Sequence, residues 1–118
     1  MPPRLTDLQL LDRSVSEDDL LTAVMGMFRA LGWLAHHVRR SDQAIQMGDA
    51  GLPDIIAMRP PRLVVAELKK ETGKATLDQM KWLEAFVAVG GEAYIWRPSD
   101  QRTGVIERIL RGDVHGTG

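Results

Sequence analysis

The chain has 118 residues, 44% of them apolar and 26% charged, and no cysteine. That is one globular domain's worth of sequence, and it excludes disulfides, thiolate zinc sites and cysteine nucleophiles. Fifteen basic against sixteen acidic residues leave a formal charge of −1, which argues against a protein that coats nucleic acid through bulk charge.

In chain order, Leu5 to Leu11 is a leucine-rich lead-in that reads either as a short helix or as an oligomer arm. Ser16 opens a helix running to Leu31: its hydroxyl caps the first turn, and Glu17, Asp18 and Asp19 suit the positive helix end. At about 100° per residue, Leu21, Val24, Phe28 and Leu31 share one apolar face, and Glu17 falls in the middle of it. Gly32 ends the helix, Trp33 to Val38 reads as a strand, and Arg39 to Gly51 is a polar loop long enough to carry function.

Ile55 to Met58 and Leu63 to Lys69 are strands joined by the turn Arg59-Pro60-Pro61-Arg62, an antiparallel hairpin. A helix runs from Leu77 to Val89, capped by Thr76 and closed by Gly90-Gly91. Glu92 to Arg97 is a strand stopped by Pro98, and Val105 to Leu110 is a short last helix. The order helix, three strands, helix, strand, helix predicts an α/β domain around one central mixed sheet. Its expected limits are an N-terminal arm over 1–15, the domain over 16–111 and a flexible tail over 112–118.

Charge is unevenly placed. The first twenty residues set Arg4 and Arg13 against Asp7, Asp12, Glu17, Asp18 and Asp19, whereas 59–81 carries a basic excess from Arg59, Arg62, Lys69, Lys70, Lys74 and Lys81. A basic centre suits phosphates, although solvated surface charge has the same pattern. No apolar run approaches the roughly 20 residues of a membrane span, and the start lacks an apolar signal core, so a cytoplasmic location is expected. His36, His37 and His115 are too scattered for a histidine metal cage.

The residues that carry chemistry gather around the hairpin. The strand 63–69 is apolar on both faces as far as Ala66 and then sets Glu67 and Lys69 on one side. A carboxylate and an ammonium at the end of a buried strand are costly unless paired, hydrated or bound to an ion. Antiparallel pairing through the Pro60-Pro61 turn brings Asp54, of Gly51-x-Pro53-Asp54, beside Glu67. Two carboxylates, a strand-end carbonyl and water make an oxygen site suited to Mg²⁺. Taken singly, Pro53-Asp54 also reads as a turn and Glu67-x-Lys69 as a solvated pair. Gln79 completes a Thr76-x-x-Gln79 capping box, yet shares the helical arc of Met80, Leu83 and Phe86 and so faces the sheet. His37 reads either as a phosphate or outer metal-shell contact or as a satisfied, partly buried histidine. Arg39, Arg40 and Ser41 open the long loop and, with Lys70 and Lys74, are candidate phosphate contacts, although solvated loop charge is the default reading for the first three. Trp82 and Trp96 read as core or dimer-interface residues rather than base-stacking platforms.

The ordered set Glu17, Gly51-Leu52-Pro53-Asp54, Glu67-Leu68-Lys69, Gly73 and Gln79-x-x-Trp82-Leu83 resembles the PD-(D/E)xK nuclease superfamily. Within it the chain is similar to the small standalone VRR-NUC proteins, the virus-type replication-repair nucleases of phages and bacteria, over about residues 16–111. The resemblance implies that Asp54, Glu67 and the Leu68 carbonyl would ligate Mg²⁺ or Mn²⁺, with Glu17 as an additional metal or water ligand. Lys69 would orient the attacking water and stabilise charge on the phosphate, and Gln79 would hold that lysine or the water. It implies a metal-dependent DNA endonuclease, similar to Holliday junction resolvases, acting as a homodimer on branched DNA. The chain departs from the pattern at Leu21, often polar in relatives, and in the loop from Gln43 to Ala50. Rival readings are a flap or nicking endonuclease and a non-catalytic nucleic-acid-binding protein with the nuclease fold.

Overall fold

The segment after Ser16 is helical as its pattern requires. In the computed structural model, which describes residues 5–38 and 47–113, the elements are α1 (Leu5–Ser14), α2 (Glu17–Ala30), β1 (Leu34–His37), β2 (Ile55–Arg59), β3 (Arg62–Leu68), α3 (Leu77–Ala88), β4 (Glu92–Trp96), α4 (Pro98–Arg102) and α5 (Val105–Arg111). The Ser16 side chain accepts a hydrogen bond from the Asp19 N–H, so the predicted cap is formed. The four strands make one sheet in the order β1-β2-β3-β4, antiparallel except for the parallel β3–β4 pair.

Alternation along the strands divides the side chains between two helical layers. Ile55, Ala57, Val64, Ala66, Leu68, Tyr94 and Trp96 meet Leu20, Val24 and Phe28 of α2 and Ile106, Ile109 and Leu110 of α5 in the main core. Each large apolar side chain withdrawn there contributes about 1.5–3 kcal/mol. The opposite face carries Val65 and Glu67 of β3 and is covered by α3.

At one end of the sheet, Trp33 packs edge-on to Phe28 at 5.7 Å between ring centres, and its indole N–H donates to the Leu110 carbonyl at 3.2 Å. The guanidinium carbons of Arg59 and Arg62 each lie 5.0 Å from that ring, which pins the hairpin turn onto the α2–β1 junction. Arg62 is further held by both Glu92 carboxylate oxygens at 2.7 and 2.8 Å, which raises its pKa above the ordinary value. This pole is structural. The β3 terminus at Leu68 is the other pole, and the candidate site lies there.

One helix, α4, departs from the sequence expectation, and the lead-in takes the helical one of its two readings. Pro98 ends β4 but also begins α4, because proline suits the first helical position, where no amide donor is needed. The Asp100 carboxylate then accepts the Arg97 N–H at 2.8 Å. The leucine-rich lead-in is α1, tied to α4 by a bidentate pair from Arg102 to Asp12 at 2.8 and 2.9 Å.

Arg102's hydrogen bonds hold the Asp12 carboxyl below its ordinary 3.8, against an opposing desolvation cost. A carboxyl lowered on folding stabilises α1 fully above that ordinary value, and the contribution is lost as pH falls through the folded value. The protection of the α1 amides, their exchange measured against the intrinsic rate at each pH, is therefore expected to fall below about pH 4, and Arg102→Gln is expected to reproduce that loss of protection at pH 7. Slow α1 exchange in Arg102→Gln would show that the pair does not hold the helix.

Candidate active site

The strand register sets the geometry. Ile55 pairs with Ala66, so Asp54 and Glu67 stand at the next rung of the β2–β3 ladder. The Asp54 carbonyl accepts the Val38 N–H at 2.7 Å, extending the β1–β2 ladder by one bond. Its carboxylate Oδ2 accepts the Leu68 N–H at 2.8 Å, which fixes the acid against the end of β3.

Glu67 is 2% exposed, and an ionised carboxylate so deeply placed costs several kcal/mol unless it is compensated. Its Oε1 accepts a hydrogen bond from Gln79 Nε2 at 2.9 Å and lies 3.5 Å from Lys69 Nζ. Gln79 completes the capping box with its other end: its Oε1 accepts the Thr76 N–H at 2.9 Å, while its own N–H donates to the Thr76 hydroxyl at 3.1 Å. One amide thus caps α3 and orients the buried acid, so Gln79 both completes the capping box and faces the sheet.

The remaining expected site residues are placed unequally. Glu17, His37, Asp54 and Leu68 line a small cleft of about 90 Å³ together with Asp18 and Leu21. Glu17 is exposed rather than central to the buried face. It has the predicted azimuth, but it is the first residue of α2 and stands beyond the core, whose helical stripe is Leu20, Val24 and Phe28. Leu68 buries its side chain in the core. Lys70 and Lys74 are exposed on the segment after β3. Arg39, Arg40 and Ser41 lie outside the described residues. Among the described residues no three His, Cys, Asp or Glu side chains converge as a metal cluster. The β2–β3 register places Asp54 and Glu67 at neighbouring positions on adjacent strands, and carboxylate oxygens are donors of the kind that suits a hard divalent cation completed by water.

Trp96 is buried in the core and stacks on Tyr94 at 5.2 Å, as one of its sequence readings has it. Trp82 does something the sequence did not reveal. Its indole N–H donates to the carbonyls of Ala50 and Asp49 at 3.0 and 3.3 Å, across α3 to the segment that leads into Asp54. The signal available in advance was an α3 apolar on its outer face as well as its inner one.

A solved structure described as a VRR_NUC domain superposes on this arrangement with a TM-score of 0.59, covering 77% of this chain and 94% of that one at 24% identity. The chain has the VRR-NUC fold. No family model matches the sequence, and no curated protein matches it. In this VRR-NUC fold, the acid before β2 and the acid and lysine ending β3 come together because the hairpin register leaves the two acids on one rung and the lysine two residues beyond.

Proposed function

We propose that the protein is a metal-dependent endonuclease that hydrolyses phosphodiester bonds in DNA, selecting branched structures in the manner of a Holliday junction resolvase. The observation that carries this reading is the buried Glu67 carboxylate, 2.9 Å from Gln79 and 3.5 Å from Lys69, one strand away from Asp54. Two acids and a lysine held at one sheet end, each acid oriented by a hydrogen bond, are the oxygen and ammonium groups that phosphodiester hydrolysis uses. The VRR-NUC fold supports the same class.

Asp54 and Glu67 would hold Mg²⁺ or Mn²⁺, with the Leu68 carbonyl as a further donor and Glu17 across the cleft as a metal or water ligand. When bound, the ion supplies positive charge to the phosphate and lowers the pKa of water. Lys69 orients the attacking water and offsets charge that develops on the phosphate oxygens. Gln79 keeps Glu67 in one rotamer, so the acid is oriented before substrate arrives. His37, Arg39, Arg40, Ser41, Lys70 and Lys74 would hold the DNA backbone.

A domain of this size has little surface for reading bases, which favours recognition of DNA shape. Resolution of a four-way junction needs two sites, and a homodimer supplies them by symmetry. Leu10 and Leu11, exposed on α1, are apolar surface for such a contact. Among the described residues no helix is long and apolar enough to cross a membrane, and the proposed setting is phage or bacterial DNA replication and repair in the cytoplasm.

The test is a panel of labelled four-way junction, flap, nicked and linear DNA, with light scattering at micromolar protein. The expected result is paired symmetrical cuts in the junction and a dimer mass. Preferential flap or nick cutting by a monomer would replace the resolvase reading with a flap or nicking endonuclease.

A further inference from the structure

Gly51 sits at φ +103°, and a Cβ placed there would meet the Asp78 carbonyl carbon at 2.5 Å and the Gln79 nitrogen at 2.7 Å. The chain entering β2 therefore lies directly on the backbone of the first turn of α3. One helical turn further on, Trp82 donates its indole N–H to Ala50 and Asp49 of the same segment. Pro53, between Gly51 and Asp54, is fully buried. The helix held by these contacts is the one whose Gln79 grips Glu67 at 2.9 Å.

We propose that Trp82 and Gly51 form a latch between the 49–53 segment and α3, and that this latch sets the Gln79–Glu67 pair and hence the affinity of the site for a divalent ion. Trp82 is thus a positioning residue: it acts through the placement of α3. The physical reason is rigidity. Asp54 is fixed by β2 and by the Leu68 N–H, whereas the Glu67 carboxylate, beside Lys69 of its own segment, also accepts a hydrogen bond from a side chain on a separate element. Without the latch, α3 keeps its packing on the sheet but loses the anchor nearest Gln79, and a shift of a fraction of an ångström there weakens the hydrogen bond to Glu67. The indole bonds border an open cleft of about 340 Å³, formed by Asp49, Ala50, Asp78, Lys81, Trp82 and Ala85, so substrate or solvent entering there reaches them.

This inference rests on the metal-site reading above, and the test separates the two. Trp82→Phe keeps an aromatic ring on α3 and removes the donor. In metal-free protein, the Gln79 side-chain amide signals are expected to move in the ¹H–¹⁵N spectrum of the variant. The Mn²⁺ concentration that half-broadens the Asp54 and Leu68 amides is expected to rise about fivefold. Coupling is reciprocal, so Mg²⁺ added to the parent protein should shift the Trp82 indole N–H resonance, a measurement that requires no variant to fold. Unmoved Gln79 signals, an unchanged Mn²⁺ midpoint or an indole resonance indifferent to saturating Mg²⁺ would each overturn the latch. Failure of the parent to bind Mn²⁺ near Asp54 would instead sink the metal site, and the latch would then be judged on the Gln79 signals alone.

Discussion

Lys69→Ala is expected to lower cleavage of branched DNA by about a thousandfold or more, because in the proposed mechanism it removes both the group that orients the water and the positive charge beside the phosphate. The same substitution takes the neighbouring cation away from the buried Glu67 carboxylate, so stability falls too, by about 1–3 kcal/mol. The two effects differ by enough to be separated. The variant is expected to melt cooperatively a few degrees below the parent, while its activity at a permissive temperature is lost. Lys69→Arg supplies the control: it keeps a cation beside Glu67 and so recovers the stability without recovering the geometry of a compact ammonium. A Lys69→Ala protein that cuts at the parent rate would remove Lys69 from the reaction.

The second large effect is expected at Gly51. Alanine there meets two penalties at once, a positive φ of +103° and backbone atoms of Asp78 and Gln79 closer than any real Cβ contact. Strain and overpacking each cost about 1–3 kcal/mol, and neither can relax cheaply against a helix backbone. Gly51→Ala is therefore expected to lower the urea midpoint by far more than alanine at an open position such as Gly26, which has nothing near its Cβ position. Gly26→Ala, within α2, is expected to be neutral or slightly stabilising. Equal midpoints for the two variants would mean that the 49–53 segment does not rest on α3.

The elements that the sequence discloses are those governed by local rules. The Ser16 and Thr76 caps, the stripe of Val24 and Phe28, and the turn at Pro60-Pro61 each depend on residues a few positions apart, and each is in place. The hairpin register sets Asp54 and Glu67 on one rung, a neighbourhood that strand pairing alone makes legible. What escapes depends on distance along the chain or on position along a helix axis. Asp12 and Arg102 are 90 residues apart, and nothing local marks them as partners. Helical azimuth puts Glu17 on the buried stripe, but azimuth is silent about how far α2 projects past the sheet. Pro98 reads as a terminator of β4, which it is; that it also starts a helix depends on Asp100 two residues later. Trp82 reads as packing, and its donor to Ala50 makes sense only because the 49–53 segment lies along α3.

The central claim is that Asp54, Glu67 and Lys69 make a hydrolytic centre dependent on a divalent ion. Its most direct test is incubation of the purified protein with a labelled four-way junction in Mg²⁺, in Mn²⁺ and in EDTA, beside Glu67→Gln. Cut products are expected in one or both metals, with none in EDTA and none from Glu67→Gln. Junction bound without cutting in either metal, or cutting that survives EDTA, would contradict the claim.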